Sequence, residues 1–177
     1  MFKKFQNEKG FSLAELLIVI SIIGILAGIV MMNMNGSQRS AKAAKLRGNL
    51  VTLREAILAY KLDHGFFPCT SSDYNSGGDV TTFKRQLTWF TSSSGRPSQT
   101  KSTTYMYGPY LQKFPEEPIT NSSNVVIDQS GERVLSALQR YVAGLNTATG
   151  GWYYEAKTGQ VVPYLNSRTY GSEYVYY

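Results

Sequence analysis

The sequence predicts an α+β protein in which one long amino-terminal helix is followed by a head built on a small antiparallel β-sheet. Apolar residues fill positions 11–34 almost without interruption, and they then recur every three or four residues up to Tyr60. That spacing is the periodicity of a helix. Two later segments, 124–128 and 151–162, have the composition of strands, and the second carries a glycine-containing turn that predicts a hairpin.

Composition limits the classes of function that the chain could have. Its 177 residues carry a net charge of +6, with one cysteine and one histidine. The length suits one modest core, and the lone Cys69 cannot close an intrachain disulfide. Zinc sites with several nitrogen or sulfur ligands are excluded, and no glycine-rich phosphate loop or nucleophile elbow is present. We therefore expect no enzyme, no cofactor and no metal site.

Residues 11–34 are predicted to form the membrane-spanning half of the long helix. As a helix, these 24 residues would measure about 36 Å, against a hydrocarbon core of about 30 Å. A removable signal peptide is the competing interpretation. Its apolar region would cover only about 7–15 residues and end at small residues, and neither feature is present. The counts of Lys and Arg on the two sides of the segment do not fix its orientation.

Glu15 is the one ionisable residue inside this apolar segment. An ionisable side chain within a bilayer is costly and usually has a partner. One interpretation is an interfacial glutamate that partly caps the helix and interacts with the positive end of its dipole. The other requires a cation at the same depth, and no side chain in 11–34 is basic.

Residues 35–64 are predicted to form the amphipathic half of the same helix. The apolar positions share one face and are Ala43, Leu46, Leu50, Leu53, Ile57 and Tyr60. This half is also strongly basic. Asp63-His64-Gly65 and then Pro68 are expected to end the helix, which gives His64 a structural position at the helix terminus. We therefore do not expect His64 and Cys69 to form a nucleophile pair.

Residues 65–177 are predicted to form the head, with a variable segment at 70–104. Within it, Asp79 is expected to cap a short helix with Phe83, Leu87 and Phe90 on one side, and 92–102 is expected to be a mobile loop.

Glu116 and Glu117 are interpreted as part of a proline-flanked turn and not as a catalytic carboxylate pair. Residues 132–145 fit either a helix or a strand. Eleven of the 13 tyrosines lie from Tyr105 onward and suit half-buried strands or subunit interfaces.

The sequence KGFSLAE at 9–15, with the apolar run that follows it, closely resembles the class III leader and first helix of type IV prepilins and type II secretion pseudopilins. The resemblance implies that prepilin peptidase removes residues 1–10 by cutting between Gly10 and Phe11 and methylates the new amino terminus of Phe11. It also implies that Glu15 pairs with the amino terminus of a neighbouring subunit. The family often has a proline near the end of the apolar segment, and this chain has none. Gly24 and Gly28 remain as a G-x-x-x-G pair for helix packing.

The segments 62–68 and 110–118 also resemble this family, which implies a pilin-like α+β fold and a structural filament subunit. Its partners would be prepilin peptidase, itself and other pilins or pseudopilins, the inner-membrane assembly platform with its ATPase motor, and membrane lipid. It would be a single-pass protein of the bacterial inner membrane with a periplasmic head. A secretion pseudopilin is favoured, because many type IV pilins close their head with a disulfide that this chain cannot make.

Other interpretations remain open. A major or minor pilin of a type IV pilus is the alternative within the family. An anchored extracytoplasmic binding or adhesion domain is the alternative from another class. Nucleic acid is not favoured, since the aromatic residues are not interleaved with a basic cluster. No aspartate follows Asp128, so the calcium site of the secretion branch is not carried over.

Overall fold

The computed structural model of the chain describes residues 10–131 and 150–165, without the side chains of residues 30–35. The predictions for residues 132–145, for the end of the tyrosine-rich tail and for leader residues 1–9 lie outside the described residues. The chain divides into two compact units, Met1–Ala41 and Lys42–Tyr177. One helix, α1 (Leu13–His64), contributes to both.

The long helix predicted over residues 11–64 is confirmed over Leu13–His64. In the second unit, the predicted stripe is the face of α1 that packs on the head: Leu46, Leu50, Leu53, Ile57 and Tyr60 are buried. The helix ends where expected. Gly65 has a φ of 81°, and its N–H donates to the Lys61 carbonyl oxygen at 2.8 Å, which is the geometry of a left-handed cap.

A second helix, α2 (Val80–Thr88), follows in the variable segment. Asp79 is its N-cap, as predicted, and accepts a 2.7 Å hydrogen bond from the Thr82 N–H. Phe83 and Leu87 are buried. Phe90 is not on the helix, because Trp89 has extended backbone angles and ends it.

The expected loop at 92–102 instead contains a strand. Strands β1 (Phe90–Thr91) and β2 (Pro97–Ser98) pair antiparallel. In the turn between them, the Gly95 N–H donates a hydrogen bond to the Ser92 carbonyl oxygen at 2.9 Å. Two-residue strands give too little alternation to be seen in a sequence, so composition alone indicated a loop.

The main sheet contains β3 (Val125–Asp128), β4 (Trp152–Glu155) and β5 (Gln160–Pro163), in that spatial order. The β4–β5 hairpin is antiparallel as predicted, whereas β3 and β4 run parallel. The α+β class is thus confirmed with a mixed sheet in place of a fully antiparallel one. Residues 129–151 connect β3 to β4, and a connection of this length permits the crossover that parallel strands need.

The core lies where α1, α2 and the sheet meet. Its largest fully buried side chains include Tyr60, Phe83, Trp152 and Tyr154. The rings of Phe83 and Tyr154 stack at 4.6 Å. The indole N–H of Trp152 donates to the Pro115 carbonyl oxygen at 2.9 Å, which ties the 115–120 turn to the sheet.

Glu117 is fully buried at the centre of that turn. Its Oε1 accepts from the Ile119 N–H at 2.6 Å, and its Oε2 accepts from the N–H and hydroxyl of Thr120. Glu116 is exposed and pairs with Lys113 at 3.4 Å. The two carboxylates therefore have separate environments, which agrees with the prediction of a turn.

Replacing Glu117 by glutamine should destabilise the head by about 1–3 kcal/mol. The NH₂ group of the new amide would face N–H and hydroxyl groups that themselves donate, so a buried donor would have no acceptor. Glu116→Gln is the matched control. It removes only an exposed ion pair, so its cost should lie within about 0–1 kcal/mol. Urea unfolding of the full chain, followed by tryptophan fluorescence, gives both values. Equal effects of the two substitutions would contradict the role given to Glu117.

Candidate assembly site at the amino-terminal helix

The start of α1 is closed by a reciprocal pair of hydrogen bonds between Ser12 and Glu15. The Ser12 N–H donates to Glu15 Oε2 at 2.8 Å, and the Glu15 N–H donates to Ser12 Oγ at 3.2 Å. This arrangement is a capping box. Sequence reasoning gave Glu15 a partial capping role but missed Ser12 as its partner. The Ser-x-x-Glu spacing is the signal that could have identified it.

Gly10 and Phe11 precede this cap and are exposed, Phe11 by 87%. A Cβ placed on Gly10 would meet nothing within 4 Å, and Gly10 has no positive φ. The described fold therefore gives no reason for a glycine at this position.

The first unit presents an apolar surface on every side of its helix. Each large apolar side chain described between Leu13 and Ile29 is at least half exposed. A helix that is apolar all round needs a non-aqueous environment or other helices around it. Within the described residues, no helix meets the combined requirement of length and apolarity for crossing a membrane.

Gly24 and Gly28 lie in this apolar part of α1. A Cβ on either would meet nothing within 4 Å. Each glycine weakens a helix by about 1 kcal/mol relative to alanine, so the two carry a cost that no contact within the described chain explains. Their spacing of four residues puts them on one face of the helix.

His64 and Cys69 occupy structural positions. His64 Nδ1 lies 2.9 Å from the Tyr60 carbonyl oxygen and Nε2 lies 3.0 Å from that of Ser92, and the imidazole stacks on the Tyr60 ring at 3.9 Å. The Cys69 thiol is buried and accepts from Asn75 Nδ2 at 3.2 Å. Burial raises the pKa of Cys69, which disfavours the nucleophilic thiolate.

A buried polar cluster in the head was not predicted. Asp73 accepts from the Tyr60 hydroxyl and the Cys69 N–H, each at 2.7 Å, and from Gln86 Nε2 at 2.9 Å. Gln86 Nε2 also donates to the Gly95 carbonyl oxygen at 2.8 Å. The cluster joins α1, α2 and the β1–β2 turn. In the described part of the chain, no group of three or more His, Cys, Asp and Glu side chains is arranged to hold a metal ion.

Comparison with known proteins identifies the family of this chain. Residues 5–31 match a family model described as the prokaryotic N-terminal methylation motif. Over 119 residues, the chain is 30% identical to the type II secretion system core protein G of Vibrio cholerae serotype O1, an alignment covering 67% of this chain and 70% of the relative. The chain belongs to the type II secretion system core protein G family. Membership implies a membrane-anchored protein.

Two further core protein G relatives show how the similarity is distributed. That of Klebsiella michiganensis is 28% identical over 149 residues, covering 83% of this chain and 94% of the relative. That of Escherichia coli strain K12 is 38% identical over 71 residues, covering 40% of this chain and 49% of the relative. No solved structure gives a significant match. The methylation motif covers all five predicted site residues, which are Gly10, Phe11, Glu15, Gly24 and Gly28.

Proposed function

We propose that this protein is a pseudopilin, a structural filament subunit of a type II secretion system that polymerises through α1. The family assignment supports this function. The observation that carries the proposal is the exposed Gly10–Phe11 junction, which lies inside the methylation motif and immediately before a capped helix with an apolar surface.

Prepilin peptidase is proposed to cut between Gly10 and Phe11 and to methylate the amino group of Phe11. The exposure of both residues leaves the junction open to an enzyme. Cleavage would leave helix α1 intact, since it begins at Leu13. It would also create a positively charged amino terminus next to Ser12, whose N–H is already bound by Glu15.

Glu15 is proposed to bind the amino terminus of a neighbouring subunit in the filament. Two opposite charges that are costly to bury singly become tolerable when they meet. In the described part of the chain, the Glu15 carboxylate accepts an exposed hydrogen bond from the Ser12 N–H. Exchanging that bond for an ion pair would cost little, because an exposed hydrogen bond contributes little net stability.

Helix packing in the filament is proposed to use Gly24 and Gly28, where two helices could approach closely. In the second unit, α1 also carries large apolar side chains that its own head leaves more than half exposed, namely Val51, Leu58 and Leu62. We place the subunit in the bacterial inner membrane, with residues 11–34 crossing it and the head in the periplasm. The assembly platform and its ATPase motor would drive polymerisation.

Mass spectrometry of the amino-terminal peptide tests the proposal directly. In the native host, the mature chain should begin at N-methylated Phe11. Gly10→Leu should keep the leader attached while leaving the head as stable as before, because a side chain at position 10 meets nothing in the fold. An intact leader on the unsubstituted protein would contradict the proposal and would favour a permanently anchored binding domain.

A further inference from the structure

A stripe of exposed residues runs along the second half of α1, about 150° around the helix from the stripe that packs on the head. Its members follow one another in steps of four and three residues, which is the spacing of a coiled-coil seam. Val51, Leu58 and Leu62 are 51%, 54% and 85% exposed, although all three are large and apolar. We name this stripe the outer seam, and its members are Ala44, Gly48, Val51, Glu55, Leu58 and Leu62.

Two members of the outer seam are not explained by contacts within the described chain. Gly48 lies inside the helix, where glycine costs about 1 kcal/mol relative to alanine, and a Cβ on it would meet nothing within 4 Å. Among the described residues, no lysine or arginine nitrogen lies within 4 Å of the Glu55 carboxylate, and the ion pair found there joins Lys113 to Glu116. A second helix packed on the seam would explain both, because glycine permits close approach and a cation on that helix could pair with Glu55.

We propose that the outer seam packs against the outer seam of a second copy of this chain, with the two helices parallel and shifted by seven residues, about 10.5 Å. The proposal rests on the pseudopilin function proposed above and specifies one contact between neighbouring subunits. A shift of seven preserves the seam, because a coiled-coil seam repeats every seven residues. It places Val51 opposite Leu58 of the second copy, which buries both apolar side chains. Gly48 then faces Glu55 of the second copy and leaves room for its carboxylate to reach the edge of the contact.

The charge of Glu55 determines the shift. Without a shift, the two copies of Glu55 would face each other, and two like charges in one contact are strongly unfavourable. With the shift, Glu55 faces Leu62 of the second copy, and the residue next to Leu62 is Lys61. A shift of fourteen would also separate the carboxylates, but it leaves two facing pairs of seam residues, where the shift of seven leaves four.

Lys61 is suited to be the cation that pairs with Glu55. It is exposed, and in the part of the chain that the structure describes no carboxylate lies within 4 Å of its Nζ. Nζ lies 4.1 Å from the centroid of the Phe67 ring. An aromatic ring attracts an ammonium group without removing its charge. The Phe67 contact therefore restrains the side chain and leaves the positive charge for a carboxylate of another subunit.

A helix of a different protein that carries a basic residue is the competing partner. A second copy is favoured because subunits anchored in one membrane share one orientation, so the parallel arrangement is the one available to them. The shifted contact also uses different residues on the two copies, so it does not close into a pair and repeats from one copy to the next. The six seam positions fall short of the three to four heptads that a coiled coil needs. We therefore expect the apolar half of α1 to hold the subunits together and the outer seam to set their axial spacing.

Cysteine cross-linking in filaments sheared from the native host tests the shift. The double variant Val51→Cys, Leu58→Cys should form a series of covalent multimers on oxidation, because position 51 of each copy would meet position 58 of the next. Within one chain, the two positions are about 10.5 Å apart, which is too far for a disulfide. Each single variant should stay monomeric, since neither position faces itself. The native Cys69 is buried and should not react.

The matched control is the double variant Lys45→Cys, Thr52→Cys. Its two positions are also exposed and seven residues apart, but they lie beside the seam and not in it. It should therefore form no multimers.

Charge reversal tests the ion pair in the Val51→Cys, Leu58→Cys background. Glu55→Lys and Lys61→Glu should each lower the cross-linked fraction by at least about fivefold. Both reversals together should restore it, because the pair is then remade with its charges exchanged. A loss caused by misfolding or by the missing Phe67 contact would not be restored in this way.

Several results would overturn the inference. Dimers from the single variants would show an unshifted contact, and multimers from the control would show that cross-linking is not specific to the seam. Cross-links to a different protein would identify that protein as the partner instead. Failure of the double reversal to restore cross-linking would remove the ion pair that determines the shift.

The same filaments separate this inference from the pseudopilin proposal. Filaments in which the Val51→Cys, Leu58→Cys variant forms no multimers would contradict the outer-seam contact alone. Absence of filaments from the unsubstituted chain, or an uncleaved leader, would contradict the pseudopilin function and the contact with it.

Discussion

Replacing Glu15 by leucine should leave the subunit folded and membrane-inserted but reduce its incorporation into filaments by at least about an order of magnitude. The reason is the amino group of Phe11 that the proposed cleavage creates. In a filament it would be enclosed by apolar helices, where a charge without a counter-charge is strongly disfavoured. Leucine removes the counter-charge and makes the helix more apolar, so insertion itself should not suffer.

The capping box allows a sharp control for this prediction. Glu15→Gln removes the charge but keeps an oxygen that can accept from the Ser12 N–H, the bond seen at 2.8 Å. Ser12→Ala removes the other half of the box, in which Ser12 Oγ accepts from the Glu15 N–H, and keeps the charge. If charge pairing is what matters, Glu15→Gln should fail to assemble and Ser12→Ala should assemble.

Shearing the filaments from cells and quantifying the subunit in both fractions measures the outcome. The amount in the membrane fraction shows whether each variant is made and inserted. Filament incorporation of Glu15→Gln at the native level would contradict the charge role. Loss of assembly in Ser12→Ala alone would show instead that Glu15 acts by starting the helix.

The parts of the fold that the sequence predicted are those set by local signals. The apolar stripe of α1, its Gly65 stop and the Asp79 cap each depend on residues a few positions apart. The β4–β5 hairpin is similar, because its turn and both strands are adjacent in sequence. Local periodicity and capping chemistry decide such elements before any long-range contact forms.

The parallel pairing of β3 with β4 could not be predicted in the same way. It joins strands separated by residues 129–151, and a strand's own pattern does not state which neighbour it pairs with or in which direction. The two-residue strand β2 was missed because it is too short to show alternation. In both cases tertiary contacts determine the structure.

The functional and buried polar residues show the same difference between local and long-range signals. Gly10, Phe11, Glu15, Gly24 and Gly28 were identified from one contiguous motif. The buried cluster of Asp73, Gln86 and Gly95 was not, because its members come from separate elements and carry no spacing signal. Asp73 and Gln86 are polar residues in polar stretches of sequence, and only folding reveals that both are buried.

Gly95→Ala should strongly destabilise the head. Gly95 has a φ of 84°, which disfavours any side chain. A Cβ there would overlap Asp73 Oδ1 and the Tyr60 hydroxyl oxygen. These two atoms are hydrogen-bonded to each other at 2.7 Å inside the core. The substitution should therefore both strain the backbone and separate the buried pair, at a cost of about 3–5 kcal/mol.

Two other glycines separate these contributions. Gly65 has a φ of 81° but nothing within 4 Å of a Cβ, so Gly65→Ala carries the backbone strain alone, about 1–2 kcal/mol. Gly77 has neither a positive φ nor a close neighbour, so Gly77→Ala should be nearly neutral.

Urea unfolding of the three full-length variants, followed by tryptophan fluorescence, measures the loss in free energy of unfolding. The loss should be largest for Gly95→Ala, smaller for Gly65→Ala and smallest for Gly77→Ala. A Gly95→Ala variant as stable as Gly65→Ala would mean that the buried polar cluster can rearrange around the new methyl group without lowering the free energy of unfolding. Asp73, Tyr60 and Gln86 would then contribute little to holding the β1–β2 turn against α1 and α2.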